Sequence, residues 1–276
     1  MMANEETFQQ ISRNIASGQT ENVSSQILDI VNSSDDPFEI LKCMSLLKLV
    51  PSDGTESKVA NILIDKVDDK NGLEIASALR TLNCPTFALE ALKKLEISDR
   101  SQRIRCHCLY DMDEFESAYE VYNSIKNPVI NDRILLCSIQ SCIGEHKLAI
   151  ETSEKLLSEY PNDYGVRIAY VNALILGGRQ KDAVKYIRTG IKDKSADSNA
   201  VAAYVLRITG NIKAAGGYAS RAVQLNPEHI GALETLGICL ALKGEYDKAK
   251  IAAGAINEIS PGDKAAINIL SYCEGH

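Results

Sequence analysis

At 276 residues the chain has room for one or two globular domains or a single repeat array. Its apolar share of 45% supports a sizeable core, yet there is no Trp and only four Phe, so that core is aliphatic and alanine-rich and suits packed helices over sheets. The net charge of −7, with both signs interspersed, excludes an overall basic field for nucleic acid and leaves only a local basic patch open.

The N-terminus, Met1-Met2-Ala3-Asn4-Glu5-Glu6, is polar and acidic and lacks the basic start and apolar run of a signal peptide. No apolar run approaches the roughly 20 residues that span a bilayer. Eight cysteines without framework spacing fit a reducing compartment, so the expectation is a cytoplasmic protein without membrane insertion. Phe8, Ile11 and Ile15 predict a helix ended by Gly18, and Val23, Ile27 and Ile30 its partner. Phe38, Leu41, Leu46 and Leu49 predict a third helix, broken at Val50-Pro51-Ser52-Asp53-Gly54, and Val59, Leu63 and Val67 a fourth. These pairs lack a small-residue signature and read as degenerate repeats or a helical cap over residues 1–70.

From Asn71 onward the pattern tightens. Ile75, Ala76 and Leu79 predict one helix, and Ala88, Leu92 and Leu95 the next. A small residue then recurs near the start of every second helix, at Ala118, Ala149, Ala183, Ala215 and Ala249, each shortly after a turn-like segment such as Gly144-Glu145-His146 or Gly210-Asn211. Asn127-Pro128, Tyr160-Pro161, Lys192-Asp193-Lys194-Ser195 and Asn226-Pro227 break the helices between repeats. Leu233, Leu236, Gly237 and Leu240 face the second run of the last pair, where Gly237 and Ala249 are expected to meet across the turn at Gly244. Pro227 and Pro261, 34 residues apart, open and close that pair.

The stretch from Asn226 to Pro261 resembles the tetratricopeptide repeat, with Leu233, Leu236, Gly237, Leu240, Ala249 and Pro261 at signature positions. It departs in having Leu233 where the family often has Trp, and Ala253 where it often has Phe. The resemblance implies an all-α, right-handed solenoid of antiparallel helix pairs, a TPR-like superhelix. Residues 71–261 would form the repeats. Residues 262–276, apolar at Ala266, Ile269 and Leu270, would supply a C-terminal capping helix and tail. About eight pairs plus the cap are expected, with no dividing linker. Gly216-Gly217 and Gly254, inside second helices, are expected to permit close packing or, alternatively, a flexible joint.

Motifs for chemistry are weak. Gly177-Gly178-Arg179-Gln180-Lys181 follows a helix and lacks the late Gly-Lys-Ser/Thr of a phosphate loop, so it reads as a repeat turn. Cys106-His107-Cys108 points in different directions on a helix and has no second ligand pair, so packing is expected in place of metal. Asp111-Met112-Asp113-Glu114 lacks the glycine and terminal Glu of a calcium loop and is expected to cap the helix carrying Ala118. Four histidines, His107, His146, His229 and His276, leave little acid–base material. The expectation is no enzyme, no cofactor and no metal.

In the family, first helices of successive repeats line a concave groove that takes a peptide or a partner helix. By that resemblance Arg103, His107 and Tyr110 should face the groove in one repeat, Ile134, Ser138 and Ser141 in the next, then Asn172, then Ala200, Tyr204 and Arg207, then Glu234 and Ile238. The candidate contact set is Arg103, His107, Tyr110, Ser138, Asn172, Tyr204 and Arg207. A subclass that grips chaperone C-termini uses Lys and Asn. Here Asn172 matches, but Ile168, Ala200 and Val201 stand where cations are needed. The function implied is a protein-interaction scaffold. The alternatives are a structural subunit of a larger coat- or secretion-type assembly and, more weakly, RNA binding supported only by Arg100, Arg103 and Arg105.

Overall fold

The aliphatic periodicity becomes helix throughout. In the structure, a computed structural model that describes residues 2–51, 53–260 and 262–275, the described residues form seventeen α-helices and no strand. Pro261, assigned above to the end of a helix, His276, Met1 and Ser52 lie outside the described residues. The chain divides into two compact units, Met1–Pro128 and Val129–His276. The first holds α1 (Met2–Ala16), α2 (Val23–Ser33), α3 (Pro37–Leu47), α4 (Thr55–Asp65), α5 (Gly72–Thr81), α6 (Pro85–Leu92), α7 (Asp99–Asp111) and α8 (Phe115–Tyr122). The second holds α9 (Ile130–Cys142), α10 (His146–Glu159), α11 (Tyr164–Leu176), α12 (Gln180–Thr189), α13 (Ala196–Ile208), α14 (Ile212–Leu225), α15 (Ile230–Ala241), α16 (Tyr246–Ile259) and α17 (Lys264–Glu274).

From α5 onward every hairpin repeats one local recipe. Ala88, Ala118, Ala149, Ala183, Ala215 and Ala249 each occupy the fourth position of an even-numbered helix and are fully buried. Five residues before each alanine stands a residue with positive φ: Asn83, Asp113, Gly144, Gly178, Gly210 and Gly244. The N–H just after it bonds back five residues, as Glu114 does to Leu109 O at 2.9 Å and Glu245 to Leu240 O at 3.0 Å. This left-handed cap satisfies the last carbonyls of the first helix and reverses the chain. Where glycine is missing, Asn and Asp take its place, the residues that best tolerate that conformation. Asp113 is therefore the turn residue. The expected side-chain cap is absent, because Glu114 occupies the cap position of α8 without a side-chain bond, and Asp111 pairs with Arg80 at 2.7 Å.

In the first unit α1–α2 keeps this turn at Gly18, with Gln19 N–H on Asn14 O at 2.8 Å, but the buried residue five places on is Val23. Gly54 and Val59 repeat the offset in α3–α4. Ile11, Ile27, Leu63 and Val67 are buried as expected. The face of α3 differs: Ile40, Cys43, Met44 and Leu47 form its core, while Phe38 and Leu49 are 37% and 53% exposed. Cys and Met are as apolar as Leu here, so local periodicity alone misplaces the stripe by about one residue.

In the second unit the odd-numbered helices α9, α11, α13, α15 and α17 pack on one another, and the even-numbered helices pack on them from outside. Close approach is needed at Gly237, but not against Ala249. A Cβ there would lie 2.7 Å from Ile269 Cδ1 and 3.4 Å from Ala252 Cβ. Glycine thus admits the apolar face of α17, where Ala266, Ile269 and Cys273 are buried. Gly216 is buried. Gly217 and Gly254, expected to pack closely, face open space.

Candidate partner-binding groove

The side-by-side packing of α11, α13 and α15 brings Asn172, Tyr204, Arg207 and Glu234 together, all half-buried. The guanidinium of Arg207 lies 5.4 Å from the centre of the Tyr204 ring, one turn back on α13. Burial pushes the Tyr204 phenol up, while Arg207 and a hydrogen bond with Asn172 act in the opposite sense. Glu234 is also pushed up, first by burial and then by Asp263, with Arg207 opposing. Arg207 Nε is buried with no hydrogen-bond partner, and among the described residues the guanidinium makes no ion pair. A half-sunken cation with unspent donors is the chemical centre of this face.

Beside it lies a cluster that sequence reasoning missed. His229 Nδ1 accepts from Ala232 N–H at 3.3 Å, capping α15, so Nε2 faces Asp197 Oδ1 at 3.3 Å. Its ring meets Tyr164 edge-on with centroids 4.7 Å apart. A Cβ at Gly231 would fall 2.2 Å from the Tyr164 hydroxyl, so glycine there leaves room for the phenol. Tyr164 and Gly231 are 67 residues apart, and nothing local in either stretch announces the pairing.

The remaining expected groove residues divide by burial. Arg103 is half-buried on α7 and donates to Asn127 O at 2.5 Å. With Arg100 and Ile104 it borders a depression of about 570 Å³ against Leu73, Ser77 and Thr81 of α5. His107 is half-buried on α7 and Ser138 on α9. Tyr110 packs edge-on against Phe115 of α8 with centroids 5.4 Å apart, turned toward its own hairpin. Ser141 is not a groove residue: it is buried and bonds Cys137 O at 2.8 Å. Ala200 is also fully buried, beneath Tyr164. Ile134 reaches the backbone of Gly165 on α11, and Ile238 lines a small hollow with Ile269 and Tyr272. Small residues in these helices sit under larger ones, which the linear pattern does not reveal.

All eight cysteines are reduced thiols, and only Cys142 is exposed. Burial pushes the thiols of Cys43 and Cys108 up to about 12 and those of Cys84 and Cys137 up to about 11, which makes them poor nucleophiles near neutral pH. Cys106 places its Sγ 3.3 Å from Ala118 O, across the hairpin. Among the described residues no group of three His, Cys, Asp or Glu could hold a metal ion, and no helix is long and apolar enough to cross a membrane.

No protein-family model and no curated protein matches this sequence. Solved structures do. A tetratricopeptide repeat protein from Parabacteroides merdae superposes with a TM-score of 0.52 at 11% identity, over 87% of this chain and 100% of that one. A thermophilic TPR protein of Thermus thermophilus matches with a TM-score of 0.44 at 16% identity, over 74% of this chain and 98% of that one. YrrB, described as a TPR protein with an unusual peptide-binding site, matches with a TM-score of 0.36 at 17% identity, over 67% of this chain and 96% of that one.

Proposed function

The chain is a helical-repeat protein of the tetratricopeptide fold, and from that premise we propose that it is a non-catalytic protein-interaction scaffold in the cytoplasm. A partner peptide or helix lies across α11, α13 and α15, with Tyr204 and Arg207 as central contacts and Asn172 and Glu234 beside them. The observation that carries this reading is Arg207: its Nε is buried without a partner while its guanidinium lies against Tyr204. A buried, unmatched donor costs roughly 1–3 kcal/mol, and a partner carbonyl or carboxylate would recover it. Tyr and Arg are also the types that dominate binding energy at interfaces. Glu234, whose proton affinity burial raises, favours a partner that brings a donor or a cation to the same spot. Ser138 on α9 is a secondary contact within the same unit, while Arg103, His107 and Tyr110 on α7 are contacts that the first unit would make by itself. Eight cysteines without a disulfide suit the reducing cytoplasm.

The test is affinity capture from native extract, followed by calorimetry with the identified partner. The variant Tyr204→Ala/Arg207→Ala, shown by circular dichroism to stay helical, should bind at least about tenfold more weakly. Equal binding by the variant moves recognition off this face and removes the reading.

A further inference from the structure

The outer helices of the second unit are unequal. α10, α14 and α16 each run 14 residues, whereas α12 stops after 10. The four missing residues amount to about one turn, or about 6 Å of helix. The chain leaves α12 at Gly190 and crosses residues 190–195 as a loop instead. That loop is fixed from beneath: Arg167, 4% exposed, donates to Asp193 Oδ2 at 2.9 Å and to Pro161 O at 2.8 Å, and it also bonds Ser198 and Asn162. The opening left by the missing turn is a pocket of about 520 Å³ between α12, α13 and α14.

Its lining is two-sided. Ile191, Tyr218 and Leu225 supply an apolar floor, and Leu225 is 59% exposed. Lys192, Lys194 and Arg221, all exposed, form the rim, with Asp193 the one carboxylate in the lining. The Arg221 guanidinium stacks 4.3 Å from the Tyr218 ring centre. No carboxylate among the described residues pairs with any of these three cations. The same sign continues along α12. From Arg179 to Lys194 there are six Lys or Arg and only two Asp, in a chain of net charge −7. Both Asp are engaged, Asp182 by Arg179 at 2.7 Å and Asp193 by Arg167.

We propose that this outer pocket is a second docking site, distinct from the groove, for an acidic peptide segment of a partner protein. One apolar side chain of the segment seats on Ile191 and Leu225, and flanking carboxylates pair with Lys192, Lys194 and Arg221. Charge complementarity selects the sign of the partner, since an unpaired basic rim on an acidic protein repels other basic surfaces. The apolar floor narrows the class: a phosphate polymer would satisfy the rim but leave Leu225 and Ile191 wet, whereas a peptide carries both functions within a few residues, and an anionic bilayer, which could also receive an apolar side chain, is an outcome that the test below separates. The fixed loop gives a preformed site, so little ordering opposes binding.

The test pans a random dodecamer peptide library against the full chain and measures the enriched peptides by fluorescence anisotropy at about 50 mM and about 300 mM salt. The expected consensus places Leu, Phe or Met next to Asp or Glu, with weaker binding at high salt. Lys192→Glu/Lys194→Glu, at two exposed positions, should weaken it by at least about tenfold, and Leu225→Ser should weaken it independently of salt. Tyr204→Ala/Arg207→Ala should leave it unchanged, which separates this site from the groove. A library that enriches no acidic consensus overturns the proposal, as does a consensus that binds the charge-reversed chain equally well. Binding of poly(U) RNA or of phosphatidylserine vesicles, lost in Lys192→Glu/Lys194→Glu while the dodecamers fail, assigns the patch to a different ligand class and also overturns it.

Discussion

Gly217 and Gly254 stand inside α14 and α16 with open space where a side chain would begin. Each therefore carries the entropic cost of glycine in a helix without a packing return. Gly217→Ala and Gly254→Ala should each raise stability by about 1 kcal/mol, read as a higher urea midpoint with an unchanged slope. Gly237→Ala should go the other way, because the new methyl would meet Ile269, which is 2% exposed, and overpacking costs about 1–3 kcal/mol. A stabilised Gly237→Ala variant would mean that α17 does not seat there. Turn residues obey a different rule. Gly244 has a φ of 77°, so Gly244→Ala should lose about 1–2 kcal/mol, and Gly244→Asn should lose less. Asn83 and Asp113 already hold that conformation in the first unit.

At the scale of the helix, α12 ends early and Arg167 anchors the loop that leaves it. Arg167→Ala removes the cation at the centre of four bonds and leaves Asp193 with only its bonds from Ser195 and Ser198. It should destabilise the second unit by about 3 kcal/mol and release residues 190–195 to rapid amide exchange. Slow exchange in that loop despite the substitution would show that Ser195 and Ser198 suffice. The sequence made the hairpins legible because their devices are local: a left-handed residue, a return bond, and an alanine five places on. The last helix, α17, was legible for the same reason, as an apolar stripe beyond the last pair. What was not legible depended on distance. The buried face of α3 is set by α2, α4 and α5, and Tyr164 meets His229 only after two repeats have stacked. Burial of Ser141 and Ala200 under neighbouring helices likewise needs three dimensions. Arg207 and Tyr204 were readable one turn apart on α13, but the orphaned Nε that gives them meaning was not.

Across the whole chain, carboxylates pull stability in opposite directions with pH. Asp53 is held down to about 2, chiefly by a hydrogen bond from Ser24 and then by Thr55, whose N–H lies 2.9 Å from Oδ1. Asp193 is held lower still, first by Ser195 and Ser198 and then by Arg167. For both, the unfolded chain takes up a proton more readily than the folded one. Their contribution is therefore fully present above the usual Asp range near pH 4 and is lost as pH falls through the folded values. Glu234 has the reverse sign: burial raises it, so the folded state prefers the protonated acid and loses stability as pH rises through the range above 4.5. The three sites divide between the two units, Asp53 in the first and Asp193 and Glu234 in the second. Urea denaturation between about pH 2 and about pH 7 should show stability falling steeply on the acid side. Asp53→Asn should flatten that fall in the first unit and Asp193→Asn in the second, each at a cost to stability at neutral pH. Glu234→Gln should raise stability at pH 7 and change nothing below pH 4. If partner binding supplies the donor that Glu234 lacks, saturating the groove should abolish the benefit of Glu234→Gln, because the carboxylate would then be the better residue in the complex.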